Sequence, residues 1–294
     1  MMCGLAGDVY LVVVGRGRDQ SAGAVTSGLA PSWAGYPVQV HAASIDVYVG
    51  AVVARWDAIR RAGQREVDEP GVRGLLPCAD DARIRLLVTD DRAYQVLARL
   101  LPDARAGMIG VFEAATRCTG LLDAHSAWKA ESVTAMIYRD LEAVPAITMP
   151  SDLEVRPVTR LDEAVPGAVD LEEAAATAIR ADPRITESPD SFVDFLRSLP
   201  SETRLFAAAD SNGVVRATSG FIAFGKQANV FFINTDQAWR GRGIGSAMTA
   251  AALRAAKDRG LRQASLDATN AGLSIYLRLG FEVVGEARRF RRIA

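Results

Sequence analysis

The sequence predicts an α/β fold in two modules, the larger one C-terminal. Three observations carry this. A glycine-rich turn, Arg240-Gly241-Arg242-Gly243-Ile244-Gly245-Ser246, sits between an apolar run at 230–233 and a helical segment at 246–259. Two strand-like runs at 204–209 and 214–224 flank Asp210-Ser211-Asn212-Gly213, whose Asn-Gly end favours a hairpin. The chain has 294 residues with 49% hydrophobic content, enough for two ordinary cores.

Pro145 and Pro150 punctuate a stretch without helical period, which places a module boundary near 145–152. Beyond it, 153–158 alternates like a first strand, and 161–180 reads as helical despite Pro166. A short helix at 191–198 follows, capped by Asp190 or Ser188. After the hairpin come a strand at 229–234, the glycine turn with its helix, a strand at 262–268, a helix at 273–279 and a last strand at 281–285. Strict alternation sends the adjacent Phe231 and Phe232 to opposite sides of their strand.

Before the boundary the pattern is α/β again, with strands at 84–89, 108–112 and 133–138 and helices at 51–61 and 93–101. Residues 46–148 form the smaller module; residues 1–45, rich in Gly, Ala and Ser, are expected to be loosely attached.

A glycine-rich turn opening a helix is an anion site, because the first helical N–H groups lack partners and carry the positive end of the dipole. Spacing decides which anion motif it is. No lysine follows the glycines, against a Walker loop, and the sixth residue from Gly241 is Ser246 and from Gly243 is Met248, against a dinucleotide fingerprint. Arg240, Gly243 and Gly245 satisfy Arg/Gln-x-x-Gly-x-Gly/Ala instead, and Tyr276 stands four residues before Gly280-Phe281. With these two motifs, residues 152–294 resemble the GNAT superfamily of N-acetyltransferases. The element order agrees with that superfamily's, so the resemblance implies a mixed, mostly antiparallel sheet with helices on both faces. It also implies a ligand entering where two central strands splay. The N-terminal module carries no second such loop and is either a degenerate copy of the same domain or an unrelated α/β module.

The resemblance implies acetyl-CoA as co-substrate, with Arg240, Gly241, Arg242, Gly243, Ile244, Gly245 and Ser246 cradling its pyrophosphate. It also implies a bulged preceding strand, so that the backbone of Ile233, Asn234 and Thr235 meets the acetyl carbonyl and the pantetheine arm. Tyr276 would donate a proton to the departing thiolate, a task suited to a phenol with a reference pKa near 10. Many members place a glutamate as base on the strand entering the loop; here Asp236 is the only carboxylate at 231–237, a base through water or a loop cap. Many also carry an asparagine seven residues before the tyrosine; here that position is Thr269 and Asn270 is one residue off, a departure that touches the pantetheine contact. Trp239 is expected to pack on the helix rather than on adenine.

Composition narrows the partners. Lys and Arg total 34 against 35 for Asp and Glu, a net charge of -1, so no global field draws nucleic acid or an anionic membrane. No run approaches 18 apolar residues, and the apolar 9–15 lacks a positive flank, pointing to a cytoplasmic protein. Cys3, Cys78 and Cys118 lack CxxC spacing, and with His41 and His125 as the only histidines a metal site is not expected. The arginines at 288–292 read as the outward side of a final strand. The expected function is acetyl transfer to a primary amine by direct attack in a ternary complex, with a small-molecule acceptor favoured over a protein lysine or N-terminus. A non-catalytic acyl-CoA-binding module is the alternative, and no oligomeric state is implied.

Overall fold

The computed structural model describes residues 48–50, 52, 60, 63–78, 83–160, 165–185 and 187–292. The expected segment 1–45, with Cys3, His41, the apolar run 9–15 and the motif Gly15-Arg16-Gly17-Arg18, lies outside them. So does the expected helix at 51–61 apart from Val52 and Arg60.

The chain divides into two compact units, and the division does not follow the boundary expected near 150. One unit takes Tyr138–Leu266 and Arg278–Gly280; the other takes the described part of Tyr10–Ile137 together with Asp267–Leu277 and the chain from Phe281. The end of the chain therefore belongs with the N-terminal half, because its last strand finds its hydrogen-bonding partners there.

The N-terminal unit opens with a hairpin that sequence reading missed, β1 (Glu66–Glu69) and β2 (Val72–Leu75). Its turn is Pro70-Gly71, with Gly71 at φ +80°, a conformation open to glycine without strain. Then come β3 (Arg83–Val88), α1 (Tyr94–Leu100), β4 (Ala106–Phe112), α2 (Thr116–Asp123) and β5 (Lys129–Tyr138). The period of two in β3 divides its side chains. Ile84, Leu86 and Val88 join a core with Leu97, Ile109 and Leu122, whereas Leu87 joins one with Phe112, Val133 and Ile137. Helix α2 was also missed. Its first N–H groups, from Arg117 and Cys118, donate to Asp91 Oδ1 at 2.9 and 3.0 Å, a cap supplied from another element that no local signal announces.

In the second unit the expected elements follow in order, with an unexpected two-residue strand β7 inside the stretch read as helix: β6 (Leu153–Thr159), β7 (Val169–Asp170), α3 (Leu171–Ala181), α4 (Pro189–Arg197), β8 (Thr203–Asp210), β9 (Val215–Phe224), β10 (Gln227–Thr235), α5 (Ile244–Asp258) and β11 (Gln263–Ala268). Strands lie in the order β11-β10-β9-β8-β6-β7. Helix α3 starts at Leu171, not near 161, because Pro166 and Gly167 form a turn, with Gly167 at φ +75°. Ser188 caps α4 by accepting from the Ser191 N–H, and Pro189 occupies the first turn.

The chain ends with α6 (Asn270–Leu279) and β12 (Glu282–Arg292). Strand β12 is longer than expected and pairs antiparallel with β4 on one side and β5 on the other. The expected outward arginines hold in part: Arg288, Arg291 and Arg292 stay partly exposed, whereas Arg289 turns inward. Arg289 is 2% exposed and donates to Glu131 Oε1 at 2.8 and 2.6 Å.

The two halves repeat one connectivity. An antiparallel hairpin, β1–β2, is followed by antiparallel β3, a helix and parallel β4; antiparallel β8–β9 is likewise followed by antiparallel β10, a helix and parallel β11. The third strand of each repeat leads into a different turn. After β10 stands the glycine loop; after β3 stand Thr89-Asp90-Asp91-Arg92-Ala93, where Asp90 caps a short 3-10 turn and pairs with Arg92.

Candidate active site

The site begins where β10 loses a neighbour. Strand β10 pairs in parallel with β11 through Gln227, Ala228 and Asn229 only, then continues to Thr235 beside β9 alone. Between Phe231, opposite Gly220, and Asn234, opposite Thr218, β10 holds two residues against the single Ser219, a β-bulge. Phe232 within it has φ +60°, and among the described residues it is the one non-glycine residue with positive φ. For an L residue this left-handed geometry costs roughly 1–2 kcal/mol, so it needs support. Thr218 Oγ1 donates to the Phe232 carbonyl at 2.8 Å, and Asn234 Nδ2 donates to Thr218 Oγ1 at 3.3 Å.

The bulge also breaks the alternation. The rings of Phe231 and Phe232 lie 6.2 Å apart, too close for side chains on opposite faces of one strand. The expectation of opposite faces fails because it assumed an unbroken period of two.

Past the bulge, Asp236 accepts the Ala238 N–H at 3.3 Å, capping the 3-10 turn Gln237–Trp239, and its other oxygen stands 3.7 Å from Arg216. Arg216 in turn holds Asp210 at 2.8 Å. That contact keeps the Asp210 carboxyl below the usual carboxylate range. The Trp239 ring carries Arg216 at 5.0 Å and Arg242 at 4.5 Å, and it packs against a cluster that contains Ile244 and Met248 of α5.

The loop's arginines are anchored. Arg240 donates to the carbonyls of Thr235 at 3.2 Å and Ala181 at 2.6 Å. Arg242 grips both oxygens of Asp152 at 2.8 and 2.7 Å, which holds that carboxyl below its ordinary range. Gly241 and Gly243 take φ +78° and +79°, with nothing within 4 Å of where a Cβ would stand. The first helical bond runs from Ala247 N–H to the Gly243 carbonyl at 3.0 Å. Among the described residues no acceptor takes the N–H groups of 241–246. An exposed turn, two left-handed glycines, bare amides and two flanking guanidinium groups fit a pyrophosphate.

Tyr276 lies on α6, whose described neighbours place it in the N-terminal unit. It is 8% exposed, meets Phe281 edge to face at 5.8 Å, and its carbonyl accepts the Phe281 N–H at 3.0 Å. Thr269, at the position many family members give to asparagine, uses its carbonyl to accept from Gly272 and Leu273 at the start of α6, both at 2.9 Å.

Sequence reading missed Thr218, Arg216 and Asp152. Thr218 sits in a continuous buried strand that gives no sign of a role, and Asp152 lies 90 residues from Arg242. Cys118 is buried, and desolvation together with Asp91 pushes its thiol up to about 12. Among the described residues no group of three His, Cys, Asp or Glu is placed to hold a metal, and no helix is long and apolar enough to cross a membrane.

Residues 201–283 match the acetyltransferase (GNAT) domain family. No curated protein sequence matches the chain. In fold, a GCN5-related N-acetyltransferase from Kribbella flavida superposes with a TM-score of 0.57 at 20% identity, covering 82% of this chain and 93% of that one. A GCN5-related N-acetyltransferase from Sphaerobacter thermophilus gives 0.55 at 16%, covering 76% and 77%. A tandem GNAT protein from the clavulanic acid biosynthesis pathway gives 0.50 at 14%, covering 87% and 90%. At these identities the likeness is one of fold. Residues 201–283 are thus similar to the GNAT acetyltransferase domain, and over most of its length the chain has the fold of GCN5-related N-acetyltransferases.

Proposed function

We propose that the protein transfers an acetyl group from acetyl-CoA to the primary amine of a small molecule by direct attack in a ternary complex. The observation that carries this reading is the row of amides at 241–246 without acceptors, following a strand whose neighbour has parted from it. Acetyl-CoA supplies the acyl group as an activated thioester. The amides and Arg240 and Arg242 bind its pyrophosphate, and the bulged backbone at Ile233, Asn234 and Thr235 orients its arm and carbonyl.

The neutral amine forms the new C–N bond as the C–S bond breaks. The family resemblance assigns the proton for the leaving sulfur to Tyr276, and the proton shed by the amine passes to water. Asp236 is assigned to the loop, since it caps the turn and faces Arg216. A thiol relay is disfavoured by the buried, hard-to-ionise Cys118.

The N-terminal half is read as a second copy of the domain that has lost its anion loop. The repeated strand connectivity supports this, and Asp90 and Asp91 stand where an incoming pyrophosphate would need amides and positive charge.

The test is a thermal-shift titration with acetyl-CoA, CoA and NADH, followed by thiol release over a panel of amines. Stabilisation by both CoA species but not by NADH, with amine-dependent thiol release, is the expected result. Stabilisation without release under any amine would leave a binding module; no shift with either CoA would remove the ligand from this loop.

A further inference from the structure

We propose that the acceptor carries an aromatic or branched apolar group beside its primary amine, and that Phe231 and Phe195 select it. This rests on the acetyltransferase reading of the same site. Four rings form a row from α4 to the bulge: Phe195 and Phe192 at 6.1 Å, Phe192 and Phe232 at 6.2 Å, Phe232 and Phe231 at 6.2 Å. The middle pair is buried, Phe192 at 7% and Phe232 at 9% exposed. The two ends, Phe195 and Phe231, are half-buried.

The strained backbone is what builds this row. With ordinary strand geometry at residue 232, its ring would leave the side on which Phe231 stands; with φ +60°, pinned by Thr218, the rings come together. Strain of this kind persists where the surroundings over-determine it, and here its product is an aromatic surface. It stands on the segment of β10 that has no β11 partner, since pairing stops at Asn229.

Charge points the same way. A polycationic acceptor needs free carboxylates, and four on or next to the adjacent helices are engaged, Asp190 of α4 being an exposed exception. Glu172 and Asp194 pair with Arg197, Glu173 accepts the Val215 N–H at 3.0 Å, and Asp182 pairs with Arg184 at 2.5 Å. A half-exposed aromatic end rewards a ring or branched chain by contact and by shedding water, and offers little to a polyol or polyamine.

The experiment is thiol release by the full chain with acetyl-CoA and phenethylamine, isoamylamine, ethanolamine, spermidine and an aminoglycoside. The expected kcat/KM order puts phenethylamine and isoamylamine about 100-fold above ethanolamine and spermidine. Phe231→Ala and Phe195→Ala should each lower kcat/KM for phenethylamine by about 10-fold or more, with acetyl-CoA affinity by calorimetry unchanged. Phe231→Leu serves where the alanine variant fails to fold, and should favour isoamylamine over phenethylamine relative to the parent. Equal use of ethanolamine or spermidine, or variants that slow every amine in proportion, would overturn the selectivity and leave the acetyltransferase reading standing. Acetyl-CoA binding without release under any of the five amines would overturn both.

Discussion

Thr218 donates its hydroxyl to the carbonyl of Phe232 at 2.8 Å, a buried side-chain bond that reaches across to the neighbouring strand and holds a phenylalanine in left-handed backbone geometry. The bond joins two residues that pairing alone would not couple, since the ladder resumes at Asn234 opposite Thr218. It makes the bulge a fixed feature of β10, next to the segment assigned to the acetyl carbonyl.

Thr218→Val keeps the shape and removes the donor, leaving a buried carbonyl short of a partner at about 1–3 kcal/mol. We expect a lower melting temperature and a lower kcat, with acetyl-CoA affinity near the parent's because the glycine loop is untouched. An unchanged melting temperature and kcat would mean the bulge stands without this bond.

Gly243 has open space where a Cβ would go but φ +79°, so substitutions strain the backbone without a clash. Gly243→Ala should destabilise by about 1 kcal/mol and weaken acetyl-CoA binding about 10-fold. Gly243→Asp adds a negative charge and should weaken it more than 100-fold by calorimetry. Equal affinities for the two variants would show that charge at this turn does not meet the pyrophosphate.

Tyr276→Phe retains the ring that meets Phe281 edge to face. We expect kcat to fall about 10- to 100-fold with little change in KM if the hydroxyl is the acid. A variant with parental kcat would reduce Tyr276 to packing.

Calorimetric titration with acetyl-CoA should give one site per chain, because the turn after β3 offers Asp90 and Asp91 in place of glycines. Two sites per chain would contradict the reading of the N-terminal half as a copy without an anion loop.

Arg216 holds the Asp210 carboxyl below its usual range, so the folded state favours the charged form. The sign follows: the pair stabilises fully above the ordinary carboxylate pKa, about 4, and its contribution is lost as pH falls through the lowered value. The melting-temperature gap between the parent and Asp210→Asn should be widest at pH 6 and narrow as pH falls below about 4. Parallel curves over that range would remove this pair from the acid response.

The sequence by itself determined the local elements of the C-terminal half and the glycine turn that opens α5. Hydrophobic period marked the strands, Asn212-Gly213 marked the hairpin, and Arg240, Gly243, Gly245 and Tyr276 carried the family resemblance, all through short-range patterns that a single chain displays. Only the tertiary structure decided where the chain's end belongs, how Phe232 bends, and what holds the loop. Strand β12 joins β4 and β5 across more than a hundred residues, Asp152 meets Arg242 over 90, and Asp91 caps a helix 26 residues on. Such contacts join residues that are neutral locally, and they exist once packing has brought distant backbone together, so no pattern of adjacent residues announces them.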